Sequence, residues 1–260
     1  MEILFEVRGP VGIATFHRPE VLNAFRQRTF ERLLELLAEV GADGSLRVLL
    51  LTGSGRAFSS GIDLRELQGD GLGQGEPEVR ATLERTQEIT RRLVDLPQVV
   101  IAAVNGPAVG FGAELSLGAD LRVASEAAAF AFPEVRRAVF LTNGATWLLP
   151  RLVGVGRAME WLVTGREISA SEALSSGLVT EVLPADRLLE VAMERAERIA
   201  AHAPVSLRLV KRALNRSFQV GLEEALRTEI EGVLRCRESE DWEEGVRAFL
   251  EKRPPRFTGL

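Results

Sequence analysis

The chain has no tyrosine, one cysteine (Cys236), two histidines (His17 and His202) and only two lysines (Lys211 and Lys252). The first absence removes the phenol as a catalytic acid. A single cysteine excludes an internal disulfide framework and, with two histidines, leaves no N/S ligand set for zinc, so no metal site is expected. A reducing compartment fits this usage. No run of 18 or more apolar residues exists either: the most apolar stretch, Val99 to Gly118, is interrupted by Asn105, Gly106, Pro107 and Glu114. No membrane span is therefore expected. The start carries Glu2 and no basic segment ahead of an apolar block, which predicts no signal peptide and a cytoplasmic location. Positive charge is not in excess: 32 basic residues against 37 acidic ones give −5, which disfavours nucleic acid as a partner.

What is present is apolar bulk. At 260 residues and 46% hydrophobic composition, one large core forms without disulfides. Ile3 to Val7 and Val11 to Phe16 alternate about Gly9-Pro10 and predict a hairpin, and Phe30, Leu33, Leu34, Leu36, Leu37 and Val40 recur with helical period up to Gly41. Val48 to Leu51 and Val99 to Val104 are short, fully apolar strands; others are expected at Leu121 to Ala124, Ala129 to Phe132 and Leu178 to Leu183. The glycine-dense residues 68–78 predict a loop before a helix from about Glu78 to Val94. Helices dominate from about residue 143, with four turn-separated stretches after Pro204. That tail is too thin in apolar residues to fold alone. The chain thus divides into a core, 1–203, and a helical region, 204–260, that packs on the core or on another subunit.

A helix beginning near Gly112 places Glu114 among Ala113, Leu115, Leu117 and Ala119, which offer it no polar face. A carboxylate there has a raised pKa or a partner; the bland alternative is a glutamate on a wet strip of the helix. Ahead of it, strand, Gly110-Phe111-Gly112 turn and helix start present free backbone N–H groups suited to an anion or a developing oxyanion. A dinucleotide fingerprint would need glycine where Leu115 stands, and Glu114-Leu-Ser116-Leu-Gly118 only half matches a nucleophile elbow. A similar strand-to-turn passage, with a helix start expected beyond it, occurs at Leu51 to Leu64 around Gly61. Two such turns would supply two N–H donors, enough to hold a thioester oxygen as it becomes an enolate.

Taken in order, Arg18-Pro19-Glu20-Val21-Leu22-Asn23-Ala24-Phe25, Ala57-Phe58-Ser59-Ser60-Gly61-Ile62-Asp63-Leu64, Ala103 to Gly110, Phe132-Pro133-Glu134 and Glu244 to Arg253 resemble the enoyl-CoA hydratase/isomerase, or crotonase, superfamily along nearly the whole chain. Each motif alone is weak; the ordered set is specific. The resemblance implies an α/β fold, a crotonase-like spiral of ββα repeats with a C-terminal helical region, assembled as a homotrimer or a dimer of trimers. It implies an acyl-CoA thioester substrate, no cofactor beyond the CoA of that substrate, and an oxyanion hole from the N–H groups of Ile62 and Phe111. By motif position the two hydratase glutamates fall on Glu114 and Glu134, 20 residues apart. CoA contacts fall on the backbone around Ala24 and Arg26, the Ser60 carbonyl for adenine, and Lys252 for phosphate.

The chain departs from the hydratase pattern after Glu134, where the usual proline and second glycine are missing from Val135 to Trp147. Phe140 and Trp147 are expected to narrow the acyl pocket there. The leading expectation is hydration of a 2-enoyl-CoA to a 3-hydroxyacyl-CoA in fatty-acid or related acyl-CoA degradation. The alternatives are a 3-enoyl-CoA to 2-enoyl-CoA isomerase using one glutamate, and a non-catalytic acyl-CoA-binding or assembly subunit.

Overall fold

A strand buried on both faces must be apolar at every position, not at alternate ones, and two runs of this kind form the middle of the molecule. In the computed structural model, which describes residues 1–66 and 73–259, they are adjacent parallel strands, β3 (Val48–Gly53) and β4 (Val99–Val104). Leu49 and Leu51 of β3 and Val100, Ala102 and Val104 of β4 point into a large core, which is closed by helices α1 (Gln27–Ala42) and α2 (Gly75–Asp95). The intervening Val48, Leu50, Val99, Ile101 and Ala103 face a smaller core under α7 (Leu188–Ala200). The hairpin β1 (Ile3–Arg8) and β2 (Val11–Phe16) is antiparallel as expected. With β6 (Leu121–Ser125) and β9 (Glu181–Leu183) it completes a six-stranded sheet of order β1-β2-β3-β4-β6-β9, parallel from β2 onward.

A second sheet of three strands, order β5-β7-β8, is made of β5 (Ala108–Val109), β7 (Ala129–Ala131) and β8 (Glu167–Ser169). The chain alternates between the two sheets. From β4 it passes to β5 and then to α3 (Phe111–Leu117); from β6 it passes to β7 and on to α4 (Ala145–Val153) and α5 (Val155–Thr164). From β3 it reaches Ser59, bridged to Ala108 of β5, and then α2. Each round is a strand, a second strand or bridge, and a helix, which is the expected ββα spiral.

Several expectations need correction. Strands β5 and β8 were not anticipated, and β9 is shorter than the apolar run Leu178 to Leu183, since Leu178 and Val179 are buried in the turn before it. Helix α2 begins at Gly75, so residues 75–78 are not loop; of the expected loop, 68–72 lie outside the described residues. No helix starts directly after Gly61, because Ile62 bridges Phe25 and residues 64–66 form a turn. Three helices, not four, follow Pro204 among the described residues: α8 (Pro204–Arg216), α9 (Leu222–Arg237) and α10 (Glu240–Glu251). The fourth was an overcount of the breaks.

Helix α8 is tied to the core by Lys211, whose buried ammonium meets Asp120 Oδ2 at 2.8 Å and donates to the carbonyls of Gln98 (2.9 Å) and Leu93 (3.1 Å). Asp120 in turn accepts the Val100 N–H at 2.7 Å, so the pair joins α8 to the start of β4. Helix α9 has no buried residue, and apolar side chains of the tail such as Leu214, Phe218, Ile230, Phe249 and Leu250 stand in solvent on a single chain. No helix among the described residues is long and apolar enough to cross a membrane.

Candidate active site

The two glycine turns meet. Gly61 has φ +95, a conformation open to glycine, and a Cβ there would lie 2.6 Å from the Val109 carbonyl oxygen and 3.4 Å from the Phe111 nitrogen. Only a glycine lets these two segments touch. The contact brings Ile62, held by the bridge to Phe25, beside Phe111, the first residue of α3. Among the described residues, neither the Ile62 nor the Phe111 N–H donates a hydrogen bond, whereas the neighbouring Ser60, Asp63 and Gly110 N–H groups are all used within the protein. Two orphan donors at adjacent backbone turns are what an oxyanion site requires.

These donors open on a cavity of about 110 Å³ whose lining includes Ser60, Ile62, Phe111, Glu114, Glu134, Phe140 and Thr142. Glu114 enters from the first turn of α3, every residue of which is buried; its own exposure is 1%. The carboxylate is not stranded: Oε1 accepts the N–H groups of Asn143 (3.2 Å) and Thr142 (3.3 Å), presented just before the left-handed Gly144 that starts α4. Burial pushes the Glu114 carboxyl up to about 7; the Asn143 and Thr142 bonds oppose the rise and the charge of Glu134 adds to it.

Glu134 reaches the same cavity from a 3-10 turn of residues Glu134–Arg137 that follows buried Phe132-Pro133. The turn is fixed from outside by Arg136, which donates to the Thr164 carbonyl at 2.9 Å, and by Gly165 packed on Pro133. Oε1 of Glu134 sits over Gly110, where a Cβ would be 3.0 Å away, and Oε2 is buried with no hydrogen-bond partner among the described residues. Burial raises its pKa too, opposed by its own backbone N–H and by the Arg137 charge. Two carboxyl groups with raised proton affinity therefore share one small cavity with two free N–H donors, and such a pair can give and take protons.

Of the expected site residues, the structure brings Ile62, Phe111, Glu114, Glu134, Ser60 and Phe140 to this cavity. Trp147 is not among its lining residues. It lies on α4 facing a separate groove beneath α8, with the Arg151 guanidinium 3.6 Å over its ring, because the turn at Gly144 rotates this position away from the acids. Phe140, 74% exposed, stands at the rim. Ala24 is buried, its carbonyl engaged by Arg18 at 2.6 Å, and Arg26 is paired with Glu2 at the start of α1. Both flank Phe25, whose backbone pairs with that of Gly61 to Asp63. Lys252 caps α10 in a left-handed conformation and does not line the cavity. Sequence reasoning missed the part played by Thr142 and Asn143, whose only signal was the Asn-Gly pair. Among the described residues no three His, Cys, Asp or Glu side chains gather as a metal-binding group.

With this geometry in place, the relatives agree. A family model described as enoyl-CoA hydratase/isomerase matches residues 6–260. A 1,2-epoxyphenylacetyl-CoA isomerase of Escherichia coli is 38% identical, over 99% of this chain and 98% of its own. A short-chain-enoyl-CoA hydratase of Clostridium acetobutylicum is 36% identical, over 96% and 95%. The crystal structure of an enoyl-CoA hydratase from Bacillus anthracis superposes with a TM-score of 0.95 at 38% identity, each chain covered in full. The chain belongs to the enoyl-CoA hydratase/isomerase, or crotonase, family and is an enzyme of that family, whose substrates are acyl-CoA thioesters.

Proposed function

We propose that the protein adds water to a 2-enoyl-CoA to give a 3-hydroxyacyl-CoA. Names of relatives divide between hydratase and isomerase, so the reading is carried by one observation: two glutamates with raised pKa line the same cavity, where an isomerase needs one. The thioester oxygen is received by the N–H groups of Ile62 and Phe111, each contributing on the order of 3 kcal/mol as charge develops on it. Glu114, steadied by Thr142 and Asn143, orients the water and takes its proton as the oxygen bonds to Cβ. Glu134, in its protonated form, delivers a proton to Cα. One proton leaves water and one reaches carbon, so the pair ends with the proton exchanged between its members and no external acid is needed.

CoA is assigned to the backbone around Ala24 and Arg26, the Ser60 carbonyl and Lys252, and no further cofactor is called for. The apolar side chains left exposed on α8 to α10 support assembly as a trimer or dimer of trimers. The test is a pair of variants. Glu114→Gln and Glu134→Gln should each lower hydration of a 2-enoyl-CoA at least about a hundredfold with CoA-ester affinity little changed, and the double variant should lose far less than the product. A wild type that moves a 3-enoyl-CoA into conjugation but hydrates nothing, with only one variant impaired, would replace this reading by isomerisation. No activity at all would favour a binding subunit.

A further inference from the structure

The turn that delivers Glu134 also carries Arg137, three residues on. Among the described residues three ionisable side chains line the cavity, Glu114, Glu134 and Arg137, so Arg137 is the single cation among them. Its position is unlike that of its neighbour: Arg136 is anchored on the Thr164 carbonyl, whereas Arg137 makes no ion pair and no hydrogen bond among the described residues. Around it the wall is apolar, with Leu64, Val139 and Phe140 all exposed at the rim. A cavity lined by apolar side chains and, among the described residues, by one unpaired guanidinium is complementary to an apolar chain that carries an anion.

Two anions could come near such a site, an acyl carboxylate or a phosphate of CoA. The phosphates are separated from the thioester by the whole pantetheine arm. Arg137 lines the same cavity as Glu114 and Glu134, and its charge acts on the Glu134 carboxyl, which puts it on the acyl side of the thioester. We propose that Arg137 is a specificity-determining residue that selects 2-enoyl-CoA esters whose acyl chain ends in a carboxylate. This rests on the reading of the cavity as the acyl site of a hydratase.

The experiment compares neutral 2-enoyl-CoA esters with ω-carboxylated ones of matched and increasing chain length, on wild type, Arg137→Gln and Arg137→Lys. Any effect of Arg137 on Glu134 is common to both ester classes and cancels in their ratio. Wild type should favour a carboxylated ester by about five- to tenfold in kcat/KM, expressed mainly in KM. Arg137→Gln should abolish the preference and Arg137→Lys should restore part of it. A ratio unchanged by Arg137→Gln, with neutral esters still hydrated, overturns the role of Arg137 and leaves the hydratase reading standing. If no ester is hydrated, the hydratase reading falls. The affinities of saturated neutral and ω-carboxylated acyl-CoAs for wild type and Arg137→Gln then decide Arg137 by the same ratio. A phosphate contact is told apart by the same series: it would weaken all CoA esters alike, which counts against the proposal.

Discussion

Replacing Glu114 by glutamine tests the electrostatics of the site without any substrate. In the folded protein this carboxyl titrates at about 7 against an ordinary 4.5, because α3 buries it. Below pH 4.5 it is neutral in both folded and unfolded chains and has no influence on stability. Between 4.5 and 7 the folded chain holds a proton that the unfolded chain has lost, so its contribution falls as pH rises. Above 7 both forms are ionised and the folded state carries the full burden, about 3 kcal/mol from the difference in pKa. Glutamine keeps an oxygen for the Thr142 and Asn143 N–H groups and never ionises. The melting temperature of Glu114→Gln minus that of wild type should therefore rise by about 6 °C from pH 4.5 to 8, at roughly 2 °C per kcal/mol for a chain of this size. Differential scanning calorimetry at half-unit pH steps measures it. Any fixed mismatch of the amide shifts the whole difference curve, so the slope is the diagnostic quantity, and the carboxylates that do not interact with Glu114 cancel. A curve flat to within 1 °C would show that Glu114 titrates as an exposed acid does and would remove the basis for its proposed role.

Three further outcomes are expected. Ile62→Pro deletes one orphan donor and should lower turnover by about a hundredfold or more while Ile62→Val retains most of it; circular dichroism must show the proline variant folded, and full activity in that variant would remove Ile62 from the site. Lys211→Met leaves the half-buried Asp120 without its ammonium and should destabilise by about 3 kcal/mol in urea titration, whereas the double variant Lys211→Met/Asp120→Asn should recover much of the loss. Sedimentation equilibrium should give a trimer or hexamer, since a monomer at micromolar concentration would leave the apolar faces of α8 to α10 in water.

Much of this architecture can be read from residues alone, for identifiable reasons. Strands β3 and β4 announce themselves because double-sided burial forces apolar residues into every position, and α1 does so because one buried stripe repeats at helical spacing. Strands β5 and β8 have two and three residues, too few to show any period. Glu114 was legible as a buried acid because its own helix supplies the burial. What keeps that acid in place was not legible: the Thr142 and Asn143 N–H groups approach from 28 and 29 residues away and are properties of the main chain, not of the side chains. Trp147 was misplaced for a related reason, since an aromatic near the acids in sequence says nothing of the rotation of α4 after Gly144.

The two orphan donors belong to the backbone, and this separates the parts of the site that substitution can rewrite from those it cannot. Exchanging a side chain at Ile62 or Phe111 alters bulk but leaves an N–H in place, whereas in the proposed reaction exchanging Glu114, Glu134, Arg137 or Phe140 would change which proton moves and which acyl chain is admitted. On the proposed reading, capture of the thioester oxygen is thereby insulated from drift in the lining. A scaffold with that division can pass from one acyl-CoA reaction to another through single side-chain steps, each intermediate still able to hold an enolate.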